Sequence, residues 1–384
     1  MSDKKIVDVN FSQVETDRMR LNVGPQHPST HGVLRLEVEL DGEIVTEVVP
    51  HIGYLHRCFE KHCEKLAYNQ IVPYVDRMDY VSAMNNEWPY VMAVEKMLDI
   101  KVPEKVEYIR VIMAELNRIA NHQIAVATFG LDAGAFTPFL YFFRDREFIL
   151  WIFEKCSGAR LLFNYFRVGG LAHDIYPDFK EDVLKVVKQV RETNKEIMDL
   201  LIYNKIFIDR TANVGVLPAD VAINFAASGP TLRGSGVQWD LRKDEPYSVY
   251  DRFDFDIPVG RGEVGTLGDT WDRNVVRMYE MEQSCRIIEQ ALEQMPFEGD
   301  VQEAIPKKLR TPKGAEVYMR AENPKGDLGF YVVSNGKDKP ERVKARGTSF
   351  VNLAVLPEIS KGYMFADLIL ILGSIDIVLG EVDR

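Results

Sequence analysis

Gly24-Pro25-Gln26-His27-Pro28-Ser29-Thr30-His31-Gly32-Val33-Leu34-Arg35-Leu36 is the stretch on which the reading of this chain turns. Its first nine residues carry two prolines, two glycines and two of the chain's seven histidines. Proline fixes φ, and glycine admits backbone shapes that other residues resist, so the segment should be a stiff loop that presents His27 and His31 from a rigid base. Beyond it the pattern alternates from Val33 to Leu40, turns at Asp41-Gly42 and returns from Glu43 to Val49. That is a β-hairpin with His31 at the mouth of its first strand. Leu21 begins a strand that leads into the loop, and the polar residues 1–19 are expected to form an extended arm or short strand. Pro50-His51-Ile52-Gly53 ends the sheet.

Outward from this hairpin the period changes to that of helices. One helix is expected over 54–70, ending before Pro73, and another over 75–99. Pro103 opens a strongly periodic helix whose Val106, Ile109, Met113, Leu116 and Ala120 form a buried face, and His122 on it reads as a packing histidine. Phe129-Gly130-Leu131-Asp132-Ala133-Gly134 breaks the pattern. Thr137-Pro138 then starts a helix so apolar (Phe139, Phe142, Phe143, Phe148, Trp151, Phe153) that it belongs inside a bundle or against a partner. Asp132 stands at its head, where a carboxylate can simply cap it. Residues 179–203 form an amphipathic helix, 204–262 are irregular and glycine-rich, and a last long helix runs from about Gly268 to Gln294. From Thr311 the period returns to two: Gly314–Met319, Gly329–Ser334 and Arg342–Arg346 are strands, with Asn335-Gly336 as a hairpin turn. The result is an α+β chain with a mainly helical centre flanked by small N-terminal and C-terminal antiparallel sheets. It divides into 1–52 (arm, sheet and histidine loop), 53–300 (helical) and 301–384 (C-terminal α+β part).

Composition narrows the function classes. The 384 residues carry 58 acidic and 47 basic side chains, a formal charge of -11, which argues against general nucleic-acid binding. The N-terminal residues have no secretory pattern, and the apolar run Leu368–Leu372 is too short to span a bilayer, so the chain reads as soluble by itself. The glycine-rich runs fit neither a dinucleotide fingerprint nor a P-loop. Cys58, Cys63, Cys156 and Cys285 read as reduced thiols. The Cys58–Cys63 pair is looser than a CxxC and its two sulfurs fall on different faces, so no metal site is expected.

With loop, centre and tail read, the chain closely resembles the 49 kDa subunit family of respiratory complex I. The phrases that carry the resemblance are GPQHPSTHGVLRL at 24–36, HIGYLHR at 51–57, VPYVDRMDY at 72–80, LDAGAFTPF at 131–139, ASGPTLRGSGVQWDLRK at 227–243, SFVNLAVLP at 349–357 and GSIDIVLGEVDR at 373–384. They keep the family's order over nearly the whole chain. The resemblance implies the fold of the large subunit of nickel–iron hydrogenases without its metal: this tail has no cysteine, and Ile375-Asp376-Ile377 stands where thiolates would be needed.

It further implies a subunit of a proton-translocating NADH–quinone oxidoreductase, inactive alone, at the cytoplasmic side of the bacterial inner membrane. Together with an adjacent small iron–sulfur subunit it would enclose a quinone, either menaquinone or ubiquinone. Other implied neighbours are the 30 kDa-type subunit, an 8-iron ferredoxin-like subunit and a membrane subunit at the quinone site; NADH, FMN and the iron–sulfur clusters belong to partners. The family's headgroup ligands fall on His31 and Tyr80, with Asp132 as the carboxylate that accompanies the histidine. Arg57 and Arg77 fall where family arginines stand near a partner's cluster. Cys58 replaces a common glycine, and Leu162 replaces a histidine whose protonation is coupled to that cluster. The alternative classes are a pure scaffold and a related module fed by another donor, such as ferredoxin.

Overall fold

The computed structural model describes residues 18–384. The arm expected over 1–19 lies outside them except for Arg18 and Met19, which already belong to the first strand. Strand β1 (Arg18–Val23) leads to the loop, where two-residue strands β2 (Gln26–His27) and β3 (Gly32–Val33) pair across a 3-10 turn at Pro28–Thr30. Strands β4 (Arg35–Asp41) and β5 (Ile44–His51) form the expected hairpin, and the sheet order is β1-β4-β5, all antiparallel. Leu36, Val38 and Leu40 are buried and alternate with more exposed neighbours, which is the period-two pattern made real.

The next segment departs from expectation. Instead of one helix over 54–70 there are two short ones, α1 (Phe59–Cys63) and α2 (Tyr68–Asp76), and Pro73 lies inside the second. The later start is tertiary: the Asp383 carboxylate accepts hydrogen bonds from Gly53 N at 2.8 Å and Leu55 N at 2.6 Å, and Tyr54-Leu55 form a tight turn in which His56 N donates to the Gly53 carbonyl oxygen at 3.2 Å. Helix α3 (Ala83–Leu98) also begins later than the expected 75, because Asp79 bonds Val81 N and Ser82 Oγ and fixes 77–82 as a turn.

The long helices follow the sequence closely. Helix α4 (Glu104–Asp132) is buried almost all round and is the axis of the molecule. It extends through Gly130 to Asp132, so Asp132 ends α4 rather than capping α5 (Thr137–Ser157). Helix α5 buries Phe142, Ile149 and Phe153 against α4 and leaves Leu140, Phe148 and Trp151 exposed. A small hairpin follows, β6 (Phe166–Arg167) and β7 (Gly170–Leu171), and then α6 (Phe179–Ile197), which runs into a π-turn at Met198–Ile202. The irregular stretch holds four short helices, α7 (Lys205–Thr211), α8 (Ala219–Asn224), α9 (Pro230–Arg233) and α10 (Leu241–Asp244), before α11 (Thr270–Gln294) packs on α4.

The second sheet, ordered β10-β9-β8, comprises β8 (Glu316–Asn323), β9 (Gly326–Ser334) and β10 (Pro340–Arg346) and packs on α2 and α3. Helices α12 (Thr348–Leu353), α13 (Leu356–Ser360), α14 (Phe365–Ile375) and α15 (Leu379–Asp383) close the described chain. Helix α14 is the hinge of the architecture. Its Leu368, Ile371, Leu372 and Ile375 join Leu36, Val38, Val45 and Val48 of the first sheet in one apolar core, while the helix also touches α4 and the Pro28–Thr30 turn. Among the described residues no helix is long and apolar enough to cross a membrane.

Candidate functional site

The loop that carries His31 is built from its own short-range contacts. Gly24 has φ +86°, and a methyl group there would meet the Leu34 carbonyl oxygen at 2.0 Å, so only glycine fits. His27 Nδ1 accepts from Ser29 N at 3.2 Å, and the buried Thr30 hydroxyl lies 2.8 Å from both the His27 and Gly32 carbonyl oxygens. His27 therefore stabilises the turn. His31 follows at φ 50°, a left-handed conformation that histidine tolerates better than most residues, and this turns its ring inward.

The ring meets the end of α4. His31 Nε2 lies 2.6 Å from Asp132 Oδ2, and both side chains remain partly open, at 20% and 14% exposure. Burial alone would depress the imidazole pKa. The hydrogen bond and charge of Asp132, joined by the charge of Asp376, outweigh burial and hold it above its ordinary value. The contact fixes which ring nitrogen faces the carboxylate, leaving the other for a ligand.

Tyr80 sits in the 77–82 turn and is 37% exposed. Burial and the Asp79 carboxylate raise its phenol above the ordinary value, against the opposing pull of Lys325 and Arg57, so the hydroxyl is a donor at neutral pH. Arg57 Nη2 donates to the Arg77 carbonyl oxygen at 2.6 Å, and Arg77 Nη1 donates to the Pro73 carbonyl oxygen at 2.8 Å. Both arginines are exposed, so the edge beside Tyr80 is cationic.

The C-terminal tail brings these residues together. A methyl group at Gly373 would stand 3.3 Å from Asp132 Oδ2 and 3.5 Å from His31 Cε1. One at Gly380 would stand 3.5 Å from both Tyr80 Cε1 and Arg57 Nη2. The 373–380 segment is thus a floor with the His31–Asp132 pair at one end and Tyr80 with Arg57 at the other. Gly373 keeps the segment clear of Phe129 and Asp132, and Gly380 lets it sit against the Met78 carbonyl oxygen, which a methyl group would meet at 2.6 Å.

Beneath the floor lies a group of charges that sequence reasoning missed. Lys325 Nζ, 2% exposed as a residue, is 3.0 Å from Asp79 Oδ2 and 3.8 Å from Asp376 Oδ2, and donates to Asn121 Oδ1. In sequence Lys325 follows Pro324 in a β-turn, a position that normally faces water. Only the tertiary packing of that turn against α3 and the tail shows otherwise.

The remaining expectations find places elsewhere. His122 is fully buried with Nε2 2.9 Å from Glu280 Oε2; burial, aided by Arg118 and Arg277, holds its pKa down despite Glu280. Cys58 is exposed and Cys63 buried. Burial pushes the Cys63 thiol up to about 12. Among the described residues no three His, Cys, Asp or Glu side chains are grouped to hold a metal ion. Leu162 is half-buried at φ 58°. Its neighbours Phe163 and Asn164 reach Asp76 beside Arg77, so Leu162 and Arg77 border one region.

A family model described as respiratory-chain NADH dehydrogenase, 49 Kd subunit, matches residues 132–313 and 303–384. A D-type subunit of NADH-quinone oxidoreductase from Chlorobaculum tepidum is 57% identical over 385 residues, covering 100% of this chain and 96% of that protein. Proteins of the same name from Chlorobaculum parvum and Pelodictyon phaeoclathratiforme are each 57% identical, over 97% and 96% of this chain and 93% of their own lengths.

Proposed function

This chain belongs to the family of the 49 kDa subunit of respiratory-chain NADH dehydrogenase, and from that premise we propose that it forms one wall of a quinone-reduction site whose headgroup ligands are His31 and Tyr80. The observation that carries the reading is the shared floor: one short segment of tail borders both the His31–Asp132 pair and Tyr80.

Reduction of a quinone to a quinol takes two electrons and two protons, one proton on each carbonyl oxygen. Negative charge grows on those oxygens as electrons arrive, and a donor already aimed at each stabilises it. The Tyr80 phenol is one such donor. His31 is the other, and Asp132 makes the imidazole both correctly oriented and better able to hold a proton until it is needed. The electrons come from NADH through iron–sulfur clusters of partner subunits. The cationic edge of Arg57 and Arg77 suits the approach of such a cluster, because a guanidinium favours its more negative, reduced form.

The wider proposal follows the family. The chain sits in the peripheral arm of a membrane complex, on the cytoplasmic side of the bacterial inner membrane, beside a small iron–sulfur subunit, and quinone reduction there drives proton translocation by the membrane arm. The fold is read as that of the nickel–iron hydrogenase large subunit, with Asp376 in the tail where thiolates would stand. The exposed Leu140, Phe148 and Trp151 of α5 supply apolar surface for a neighbouring subunit.

Tyr80→Phe tests the assignment, since it keeps the ring and removes one donor. Loss of a hydrogen bond made to developing charge costs about 3 kcal/mol, roughly a hundredfold in rate. In fully assembled complex, quinone reductase activity falls by that factor while NADH still reduces the clusters. Normal quinone turnover refutes it.

A further inference from the structure

Lys325 lies in the turn between β8 and β9, yet its ammonium is buried. A buried charge survives only if paired and hydrogen-bonded, and here the turn is pinned to make that possible. Lys325 N donates to Asn323 Oδ1 at 3.2 Å, and Asn352 Nδ2 donates to the Lys325 carbonyl oxygen at 3.2 Å. The ammonium then reaches Asp79, Asp376 and Asn121 at once. Each of the two carboxylates has a second face. Asp376 acts on His31, and Asp79 acts on Tyr80, its neighbour in the chain. A line therefore runs from His31 through Asp376, Lys325 and Asp79 to Tyr80.

We propose that Lys325 is a positioning residue for quinone reduction: seated between Asp79 and Asp376, it screens both carboxylates and so sets how tightly His31 and Tyr80 hold the protons they deliver. The proposal rests on the reading of His31 and Tyr80 as headgroup ligands. The other charges on this line are Asp132 facing His31, Arg277 of α11 facing Asp376, Glu381 of α15 facing Lys325 and Asp79, and Arg57 facing Tyr80. Glu381 is itself held by Thr348 N at 2.6 Å and Ser349 N at 3.1 Å. Only Lys325 makes ion pairs with both Asp79 and Asp376 among the described residues.

The signs follow from Coulomb's law. Removing the Lys325 charge leaves Asp376 unscreened, so His31 keeps its proton to higher pH. Removing the Asp376 charge does the opposite, because His31 then loses one of its two attracting carboxylates while Lys325 remains. Loss of packing alone would move both variants the same way, or neither.

The experiment is the pH profile of kcat/KM for a short-chain quinone, measured on purified complex that retains every subunit on a native gel. Lys325→Gln moves the alkaline limb to higher pH, Asp376→Asn moves it to lower pH, and Lys325→Arg stays near the wild type. Limbs that do not move, or that move in the same direction in Lys325→Gln and Asp376→Asn, overturn the proposal. Should Lys325→Gln fail to assemble, Asp376→Asn and Lys325→Arg decide it: a lowered limb in the first with a normal one in the second supports the screening role, and an unmoved limb in Asp376→Asn overturns it. His31→Ala serves as the control on the underlying reading, because normal turnover in that variant removes the ligand assignment itself rather than the role of Lys325.

Discussion

Replacing Asp132 by asparagine changes one charge at the centre of the site and leaves its shape intact. The wild-type contact is a hydrogen bond at 2.6 Å between a part-buried imidazole and a carboxylate. A charged hydrogen bond of this kind contributes about 1.5–3 kcal/mol, and the neutral one that the carboxamide oxygen can still make contributes about 1 kcal/mol. The difference, about 0.5–2 kcal/mol, corresponds to a loss of roughly 2- to 30-fold in kcat/KM near neutral pH, milder than Tyr80→Phe. The pH dependence gives the sharper reading. Burial works against the protonated ring, and without Asp132 only the charge of Asp376 opposes it. His31 therefore releases its proton at lower pH, and the alkaline limb of the activity profile moves down. The assay is steady-state quinone reduction by complex of wild-type subunit composition across the neutral range. An Asp132→Asn complex with an unaltered rate and an unaltered limb would refute the role given to this pair.

Two further predictions concern the region around Leu162. Burial pushes the Asp76 carboxyl up to about 6, against the pull of Glu87, Arg77 and the backbone of Asn164 and Phe163, while burial and Asp76 hold Glu87 well above the usual range. An acid raised in the folded state is stabilising to protonate, so the cost of ionised Asp76 is present in full above about pH 6 and vanishes as pH falls toward 4. Asp76→Asn should accordingly raise stability by up to about 3 kcal/mol at pH 8 and leave it unchanged near pH 4; thermal denaturation of the peripheral arm at both pH values checks this, and a destabilised variant at pH 8 contradicts it. Leucine at 162 cannot take up the proton that a histidine beside a cluster would, so the partner cluster's midpoint potential should vary weakly with pH and should lie lower than in relatives with the histidine. Leu162→His should steepen the slope toward about 60 mV per pH unit, as read by redox titration with electron paramagnetic resonance between about pH 6 and 8.5; its backbone at φ 58° suits histidine at least as well as leucine.

Local pattern carries most of the fold. The Asp41-Gly42 hairpin, the periodic α4, the apolar α5 and the strands after Thr311 are all set by neighbours in the chain and appear in the expected order, although α4 runs on to Asp132, β8 runs on past Met319 to Asn323 and β9 starts already at Gly326. The failures fall where distant residues override local preference. The phrase from Gly53 is held in a non-helical turn by Asp383, 330 residues away, and the turn at Tyr80 is tied down by Asp79 and Lys325. The site divides in the same way. His31 announces itself through the prolines and glycines around it, whereas Tyr80, Asp132, Arg57 and Arg77 enter only by resemblance to a family. Lys325 is invisible in the sequence, since a lysine in a β-turn normally points to water, and what buries it is a partner set drawn from α4, the 77–82 turn and the tail.

The central claim, that His31 and Tyr80 grip the two ends of a quinone headgroup, is tested most directly by a structure of the assembled complex with a quinone bound. One carbonyl oxygen should lie within hydrogen-bond distance, about 2.7–3.2 Å, of the His31 nitrogen not engaged by Asp132, and the other at a similar distance from the Tyr80 hydroxyl. A fully bound headgroup that touches neither side chain would contradict it.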